Sequence, residues 1–351
     1  MSRPMLQAAL ALTAVLVTEP AMAQERYTVG GDDVAVYNLA GEIMVTAARG
    51  GEVTVDVARG GSDGDELDVR IGEVDGRPAL RVIYPADRIA YREASGRGST
   101  TIRVRPDGTW GGDRDSWRSR GDRVRIETRG GGLEAWADLR VGVPEGQRIS
   151  IYLAVGRITA ENVNGRVRLD AGAGGVEARG MSGYLNVDTG SGSVEVLGME
   201  GDLDVDTGSG SVRVANVTAD QLGVDTGSGS VAADAVSADR IEIDTGSGGI
   251  EIRRSSARDV RLDTGSGSVD ADLTGEIDHL LVDTGSGGVT VRLPEGIGAT
   301  VQLETGSGTI DVDFPVMVTR RARDELLGTI GDGRGAIEVD TGSGSIRIRR
   351  R

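Results

Sequence analysis

A five-residue motif, D-T-G-S-G, recurs through the second half of the chain and limits its fold more than any other feature. Its copies begin at Asp188, Asp206, Asp225, Asp244, Asp263, Asp283 and Asp340, with a variant at Glu304 and a degenerate copy at Asp170. Most copies lie 18 to 21 residues apart, and 36 residues separate Glu304 from Asp340. A near-constant period of this length indicates a repeat architecture, in which each repeat packs only on its neighbours.

The residues around each motif alternate between aliphatic and polar. The positions three and one before each acid are aliphatic, as at Leu203 and Val205, and the alternation resumes after the glycines, as at Val212 and Val214. Period-two alternation on both sides of a Gly-rich turn predicts two short strands per repeat, each with one buried face. A helix is disfavoured, because glycine interrupts every window and no 3.6-residue period is present.

Two all-β architectures suit such repeats, an antiparallel meander and a solenoid in which each repeat forms one rung. Near-identical turns favour the solenoid, because stacked rungs make the corners equivalent, whereas a meander places alternate turns at opposite ends of the sheet. We therefore predict an all-β, parallel, single-chain β-solenoid with rungs of about 19 residues and stacked D-T-G-S-G corners. Parallel crossover geometry favours a right-handed coil. The long gap after Glu304 is interpreted as one motif-less rung near residues 328–335 plus a bulging segment around residues 314–324.

The chain divides into three predicted regions. Residues 1–23 have the pattern of a secretory signal peptide, with Arg3 before a short apolar run and the small residues Ala21 and Ala23 at the cleavage site. The apolar run is about half the length needed to span a bilayer, so we expect an exported product without a transmembrane segment. That product would be periplasmic, on the cell surface or extracellular. Residues 24–160 carry irregular β patterns, either early rungs or a cap, and residues 161–351 carry the regular solenoid repeats.

Composition and charge exclude several kinds of site. The chain has no cysteine and one histidine, His279, which leaves no thiolate chemistry and no His-rich zinc site. Its 55 acidic and 39 basic residues, all of the latter arginine, give a net charge of −16, which argues against a nucleic-acid partner. Residues 181–351 hold 29 of the acids and 15 of the arginines, so the repeats carry most of the negative charge.

The repeated acids admit several interpretations. Aspartic proteases use two D-T-G-S loops, but a line of seven copies is not one isolated pair. Stacked carboxylates about 4.8 Å apart repel one another, and bound Ca²⁺ would relieve this. The calcium candidates are Asp188, Asp206, Asp225, Asp244, Asp263 and Asp283. We favour a structural role without any cofactor, in which each Asp accepts hydrogen bonds from its own turn and the glycines supply positive φ angles. One threonine beside each Gly corner does not form the flat array that ice binding requires.

A Trp- and Arg-rich loop at residues 106–122 is the candidate contact surface, because these residue types are common anchors of protein interfaces. The candidate contact residues are Trp110, Trp117, Arg114, Arg118 and Arg120. Two alternatives remain open. The loop could be flexible and solvated, or it could be a flap whose tryptophans cover the open end of the coil.

Taken together, these motifs resemble a bacterial family, the "putative adhesin" domain of unknown function. The resemblance rests on the D-T-G-S-G-S-V rungs, on V-Y-N-L-A-G-E-I at residues 36–43, on A-D-L-R-V-G-V-P-E-G at residues 137–146 and on the terminal I-E-V-D-T-G-S-G-S-I. It implies an exported or envelope-associated β-solenoid, similar to the heads of auto-transporter adhesins, with no catalytic residues to assign. Some related domains accompany envelope-stress systems.

We therefore expect an exported, non-enzymatic module with a binding or structural role at the cell envelope and an unidentified envelope or surface partner. One alternative is an envelope-stress sensor that binds cationic peptides through acids such as Asp204, Glu242 and Asp270. Another is a polysaccharide-active enzyme of the β-helix type. The regular repeats contain no tryptophan to line the sugar-binding groove of such an enzyme.

Overall fold

A computed structural model describes residues 24–92, 98–111 and 121–351. Within these residues the chain forms 26 β-strands, of which 23 lie in one sheet and three in a second. The helical element of the described chain is a single 3-10 turn at Gly64–Glu66, and no helix in it is long and apolar enough to cross a membrane. The predicted all-β class is confirmed.

The strands are named here in chain order. They are β1 (Gln24–Val29), β2 (Asp33–Ala47), β3 (Val53–Gly60), β4 (Asp68–Val74), β5 (Arg77–Ile83), β6 (Arg88–Ala90), β7 (Ser99–Val104), β8 (Asp122–Glu127), β9 (Trp136–Val143), β10 (Gln147–Glu161), β11 (Asn164–Ala173), β12 (Val176–Thr189), β13 (Val194–Thr207), β14 (Val212–Thr226), β15 (Val231–Thr245), β16 (Ile250–Ser255), β17 (Asp259–Thr264), β18 (Val269–Leu273), β19 (His279–Thr284), β20 (Val289–Leu293), β21 (Ala299–Thr305), β22 (Ile310–Val312), β23 (Val316–Arg321), β24 (Glu325–Ile330), β25 (Gly335–Thr341) and β26 (Ile346–Arg350).

The N-terminal region combines one rung with a cap. β2 pairs in parallel with β10 from Asp33 to Thr46, so it forms the first rung of the stack. On its other side, β2 pairs in parallel with β5 and β9. β3 pairs antiparallel with β9 and β1, and β4 pairs antiparallel with β5. These mixed pairings cover the end of the solenoid, where an open row of backbone groups would otherwise pair with other chains.

From β10 onward, all strands except β23 and β24 stack as rungs of a parallel solenoid. Each rung lies in register with the next, so that Val194 pairs with Val212 and Asp206 with Asp225. The aliphatic columns point inward, and Leu203 and Val205 are 1% and 0% exposed. Burial of four such side chains contributes roughly 6–12 kcal/mol per rung, which stabilises a rung only when its neighbours share the core. The predicted solenoid with stacked corners is confirmed.

The division of each rung into two strands holds only for the later rungs. β12 to β15 each run 14 or 15 residues without a break, whereas the rungs from Ile250 onward contain two strands. In the earlier rungs the bend is a column of left-handed residues, with φ of 76° at Gly198, 55° at Asn216 and 54° at Ala235. The ladder of parallel pairs continues on both sides of this bend, so one long strand replaces the two that were predicted.

The last rung of the sequence is not the last rung of the stack. β25 pairs in parallel with β19 on one side and with β21 on the other, and β26 lies in the same way between β20 and β22. The corners therefore stack in the order Asp283, Asp340, Glu304. The expectation that successive copies of the motif form successive rungs is wrong here. The alternating pattern determines which face of a rung is buried, but not which rung lies next to it.

The segment between Glu304 and Asp340 is a hairpin and not a motif-less rung. β23 and β24 pair antiparallel, and β24 also pairs antiparallel with β21. Gly331 and Gly333 follow with φ of 59° and 70°, and the chain then enters the inserted strand β25. The prediction of a rung near residues 328–335 is therefore wrong. The hairpin covers the end of the rod, and its strand β24 runs antiparallel to β21.

The C-terminal arginines hold the inserted rung in place. Arg349 forms ion pairs with Asp311 (2.8 Å) and Asp313 (2.7 Å), which lie at the end of the rod. Arg351 pairs with Asp272 on the other side (2.8 Å). Exposed ion pairs are worth little individually. Their geometry nevertheless shows that the C-terminal arginines connect the inserted rung to acids on both sides of it.

Candidate functional site

From Thr207 onward, each D-T-G-S-G corner and the Glu304 variant is closed by its threonine. The Thr245 hydroxyl accepts a hydrogen bond from the Gly248 N–H (2.9 Å) and donates one to the carbonyl of Gly229 in the neighbouring rung (3.0 Å). The corners of Thr226, Thr264, Thr284 and Thr341 repeat both bonds. The prediction that the aspartate accepts the turn bond is wrong for these N–H groups. The threonines are fully buried, so they are not available to bind ice.

The corner glycines are required by close packing rather than by backbone torsion. Gly246 and Gly248 do not lie in the left-handed region, contrary to the prediction. A Cβ added at Gly248 would overlap the carbonyl of Gly229, and one at Gly229 would overlap the carbonyl of Gly210. The corners therefore stack with backbone directly on backbone.

Replacing Thr245 with valine should lower the free energy of unfolding by about 1–3 kcal/mol. The substitution keeps the shape of the side chain but leaves the buried Gly248 N–H without its acceptor. Urea unfolding measures the loss. Thr245→Ser is the control, because it keeps the hydroxyl and loses only a methyl group. Equal losses in the two variants would contradict the role assigned to the hydrogen bonds.

The acids of the motif form one line along the rod, here called the acid column. In stacking order, it consists of Asp170, Asp188, Asp206, Asp225, Asp244, Asp263, Asp283, Asp340 and Glu304. Adjacent members are about 4.8 Å apart along the stack. Burial and the charge of neighbouring carboxylates raise the pKa of Asp244 and of Asp340. No group of three or more His, Asp or Glu in the described chain is arranged to hold a metal ion, and calcium binding by the column stays an untested alternative to the structural role.

Asp170, at one end of the acid column, is 8% exposed. Burial, reinforced by the charge of Asp188, raises the pKa of Asp170 to about 7. Arg168 opposes this shift, with its Nη2 lying 3.5 Å from a carboxylate oxygen of each of the two acids. Asp170 therefore keeps its proton in the folded protein under mildly acidic conditions.

Stability should fall as the pH rises from about 4 to about 7. Asp170 stays protonated in the folded state over this range but ionises in the unfolded state, where its pKa has the ordinary value of 3.8. The folded state thus binds more protons, and raising the pH favours unfolding. Thermal melting of Asp170→Asn across this range should show a weaker pH dependence than the wild type. The exposed Asp225→Asn is the control, and the same dependence in Asp170→Asn and the wild type would contradict the assignment.

Trp110, which was predicted to belong to a contact surface, is a core residue. It is 6% exposed, packs edge-on against Tyr152 and donates its Nε1–H to the carbonyl of Asn38 (3.1 Å). Asn38 is itself buried and accepts a hydrogen bond from the Tyr84 hydroxyl (2.8 Å). These contacts correct the expectation for Trp110, which packs into the core beside the first rungs. The other candidates, Trp117, Arg114, Arg118 and Arg120, lie outside the described residues.

A groove of about 270 Å³ opens beside the first rungs of the rod, and we call it the arginine groove. It is lined chiefly by Arg77, Arg148, Arg166, Arg168, Tyr184 and Asn186. Strand register builds it, because Arg148, Arg166 and Tyr184 form one column and Ser150, Arg168 and Asn186 form the next. Arg166, Arg168 and Asp170 alternate along β11, so the groove and the acid column share one outward face.

The arginines of this groove are only partly neutralised. Arg77 lies 3.6 Å from Asp33, and Arg148 lies 4.0 Å from the same carboxylate. Arg166 lies over the ring of Tyr184, with its guanidinium carbon 5.5 Å from the ring centroid. Asp33 is the one acid among the lining residues, against four arginines. The groove is therefore cationic, although the chain carries a net charge of −16.

The arginine groove is not apparent from the sequence because its residues come from separated segments. Arg77 belongs to the cap, whereas Arg166 and Arg168 belong to the rod, and only the topology brings them together. The uneven distribution of arginine along the sequence was the one signal of a cationic site. The residues outside 181–351 hold 24 of the 39 arginines.

Comparison with known families gives a match that covers more than half of the chain. The family model described as Toastrack DUF4097 matches residues 140–349, from within β9 to within β26. No curated protein matches the chain.

Two solved structures are similar to the chain at low sequence identity. A "putative cell adhesion protein" from Clostridium sporogenes is 12% identical, with a TM-score of 0.19, over 94% of this chain and 99% of its own. A "putative adhesin" from Parabacteroides distasonis is 11% identical, with a TM-score of 0.38, over 93% of this chain and 96% of its own. The fold assignment above rests on the strand register of the chain itself.

Proposed function

The chain belongs to the Toastrack DUF4097 family, a domain of unknown function, and from this premise we propose that it is an exported, non-enzymatic, adhesin-like module of the cell envelope. The arginine groove is the observation that carries the binding role. It concentrates cationic and aromatic side chains at one end of an otherwise anionic rod. The signal-peptide pattern of residues 1–23 supports export, although those residues lie outside the described chain.

A rigid stack of rungs suits a binding role. Side chains held in fixed columns lose little conformational freedom when a ligand binds, which favours affinity. The arginine groove draws on four adjacent rungs and on the cap, so its geometry depends on backbone pairing rather than on a mobile loop. Sites built on strands hold their side chains more accurately than sites on loops.

Two observations support a non-enzymatic role over the alternative of a polysaccharide-active enzyme. Asp33 is the one carboxylate among the residues that line the arginine groove, whereas most glycosidases use a pair of carboxylates. Trp110 and Trp136 are buried and therefore do not provide a sugar-stacking platform.

Co-sedimentation with envelopes purified from the source organism tests this proposal. We expect residues 24–351 to bind the envelopes saturably and to remain bound after washing. A sample without envelopes controls for aggregation. Recovery of the protein only in the supernatant would contradict the binding role, and cytoplasmic retention of the full-length chain in its own host would contradict export.

The acid column favours a second candidate function, the binding of cationic peptides by an envelope-stress sensor. The pKa values of Asp244 and Asp340 are raised, and a neighbouring positive charge would stabilise the ionised form of such a line of carboxylates. Asp270, which the sequence suggested for this role, lies outside the column and pairs with Arg292. Neutralising Asp225, Asp244 and Asp263 to asparagine should weaken peptide binding at low salt. Unchanged binding in that variant would rule out the acid column as the peptide site.

A further inference from the structure

The arginine groove is a regular array of side chains. Arg148 pairs in register with Arg166, and Arg166 with Tyr184, so these side chains follow one another at about 4.8 Å along the stack. Ser150, Arg168 and Asn186 follow in the parallel column two residues along each strand. The polar groups of the groove are therefore preorganised by the sheet before any ligand arrives.

The guanidinium groups of the groove retain hydrogen-bonding capacity. Arg166 makes its cation–π contact with Tyr184 but no ion pair with a described residue. Arg168 reaches Asp170 and Asp188 only at 3.5 Å, which is long for a charge-assisted hydrogen bond. A planar guanidinium can donate two parallel hydrogen bonds to a carboxylate or a phosphate. The arginines are thus suited to bind an oxyanion.

Unpaired polar atoms show that a second kind of ligand group is needed. The Nε of Arg168 and Oδ1 of Asn186 are buried and have no hydrogen-bond partner within the described chain, and the two residues pair in register on adjacent strands. Buried polar atoms are costly without partners. The Nε requires an acceptor, whereas the Oδ1 requires a donor. A ligand that satisfies both must combine an oxyanion with a hydroxyl group.

We propose that the arginine groove binds an acidic saccharide unit, either a sugar acid or a sugar phosphate. This inference rests on the proposed binding role and gives it a ligand class. The oxyanion lies among Arg148, Arg166 and Arg168, and a sugar hydroxyl donates to Asn186. The volume of about 270 Å³ is at the lower end for ligand sites, which suits one sugar rather than a long segment.

The acid column limits how such a saccharide is attached. Asp188 adjoins the groove and the later acids of the column follow it, so a polyanion that continued along the rod would meet a line of carboxylates. Repulsion between like charges at this spacing opposes that path. The groove therefore selects a short or terminal acidic unit. A free sugar acid and the end of an envelope glycan share this chemistry.

Titration of residues 24–351 with glucuronate, glucose 1-phosphate, glucose and inorganic phosphate tests the proposal. We expect the two acidic sugars to bind, glucose to bind at least about tenfold more weakly, and inorganic phosphate to bind more weakly than glucose 1-phosphate. Arg166→Gln combined with Arg168→Gln should weaken binding of the acidic sugars about tenfold or more. Competition by an envelope glycan fragment would indicate a glycan end as the natural source, and competition only by monomers would indicate the free sugar acid.

Arg240→Gln combined with Arg261→Gln is the matched control. Arg240 and Arg261 lie on the same outward face at rungs further along the rod, and replacing them removes the same amount of positive charge. We expect this variant to bind like the wild type, and both variants to melt like the wild type. Equal binding of glucose and glucuronate, no effect of the Arg166/Arg168 change, or retention by phosphatidylglycerol vesicles without binding of sugar acids would each overturn the inference. If wild-type protein sediments with envelopes but binds no acidic sugar, only this inference fails.

Discussion

Replacing Gly248 with alanine should lower the free energy of unfolding by more than about 4 kcal/mol or prevent folding altogether. The added Cβ would overlap the carbonyl of Gly229 and would lie 2.8 Å from the amide nitrogen of Ser230. Both obstacles are backbone atoms, so no side-chain rotation relieves the overlap. The two rungs would have to separate, which would also break the hydrogen bonds of Thr245.

The adjacent residue provides a matched control for this substitution. A Cβ at Gly249 would meet only the carbonyl oxygen of Ser268, at an ordinary 3.4 Å, and other corners carry Ser211 or Ser230 at this position. We expect Gly249→Ala to change the free energy of unfolding by no more than about 0.5 kcal/mol. Urea unfolding of both variants provides the measurement. Similar stabilities for the two would show that close approach of the rungs does not select the corner glycines.

Deleting residues 335–351, the inserted rung, should unfold the C-terminal part of the rod. The inward side chains Ile337, Val339, Ile346 and Ile348 are at most 1% exposed. At about 1.5–3 kcal/mol each, their burial contributes roughly 6–12 kcal/mol. This is comparable to the whole stability of a typical domain, about 5–15 kcal/mol. The deletion also uncovers two neighbouring rungs, β19–β20 and β21–β22, rather than one.

Deletion of residues 206–224 is the control for this truncation. It removes one full period from the interior of the rod and joins Val205 to Asp225, which preserves the V-D-T-G-S-G pattern. We expect a shorter rod that still melts cooperatively, because any rung can stack on any other of the same pattern. Circular dichroism melting and size-exclusion chromatography compare the two deletions. A truncated chain that melted at the wild-type temperature would show that the last rung is peripheral.

The sequence pattern was sufficient to predict the solenoid. The aliphatic positions around Leu203 and Val205 recur in every complete copy, and period-two alternation assigns each to the core face. The pattern did not predict one additional inward position, which comes directly after the bend in each rung. Met181, Met199, Val217 and Val236 occupy it. This position follows the left-handed column, where strict alternation is interrupted.

The pattern did not contain the stacking order, the corner bonding or the arginine groove. Rungs of nearly identical sequence can pair with one another in any order, so the position of Asp340 between Asp283 and Glu304 depends on the whole chain. Aspartate and threonine both close turns with side-chain oxygens, and only burial shows that the threonine does so here. The groove joins Arg77 to residues far along the chain, which no local pattern encodes.

Engineered disulfides test the stacking order most directly. The chain has no cysteine, so every introduced pair can be assigned. Asp283→Cys with Asp340→Cys, and Asp340→Cys with Glu304→Cys, place cysteines on adjacent strands about 4.8 Å apart, within disulfide reach. Asp283→Cys with Glu304→Cys places them two rungs apart, at about 9.6 Å, which is too far. We expect mild oxidation to crosslink the first two pairs and not the third. A disulfide in the third pair, with none in the other two, would contradict the inserted rung.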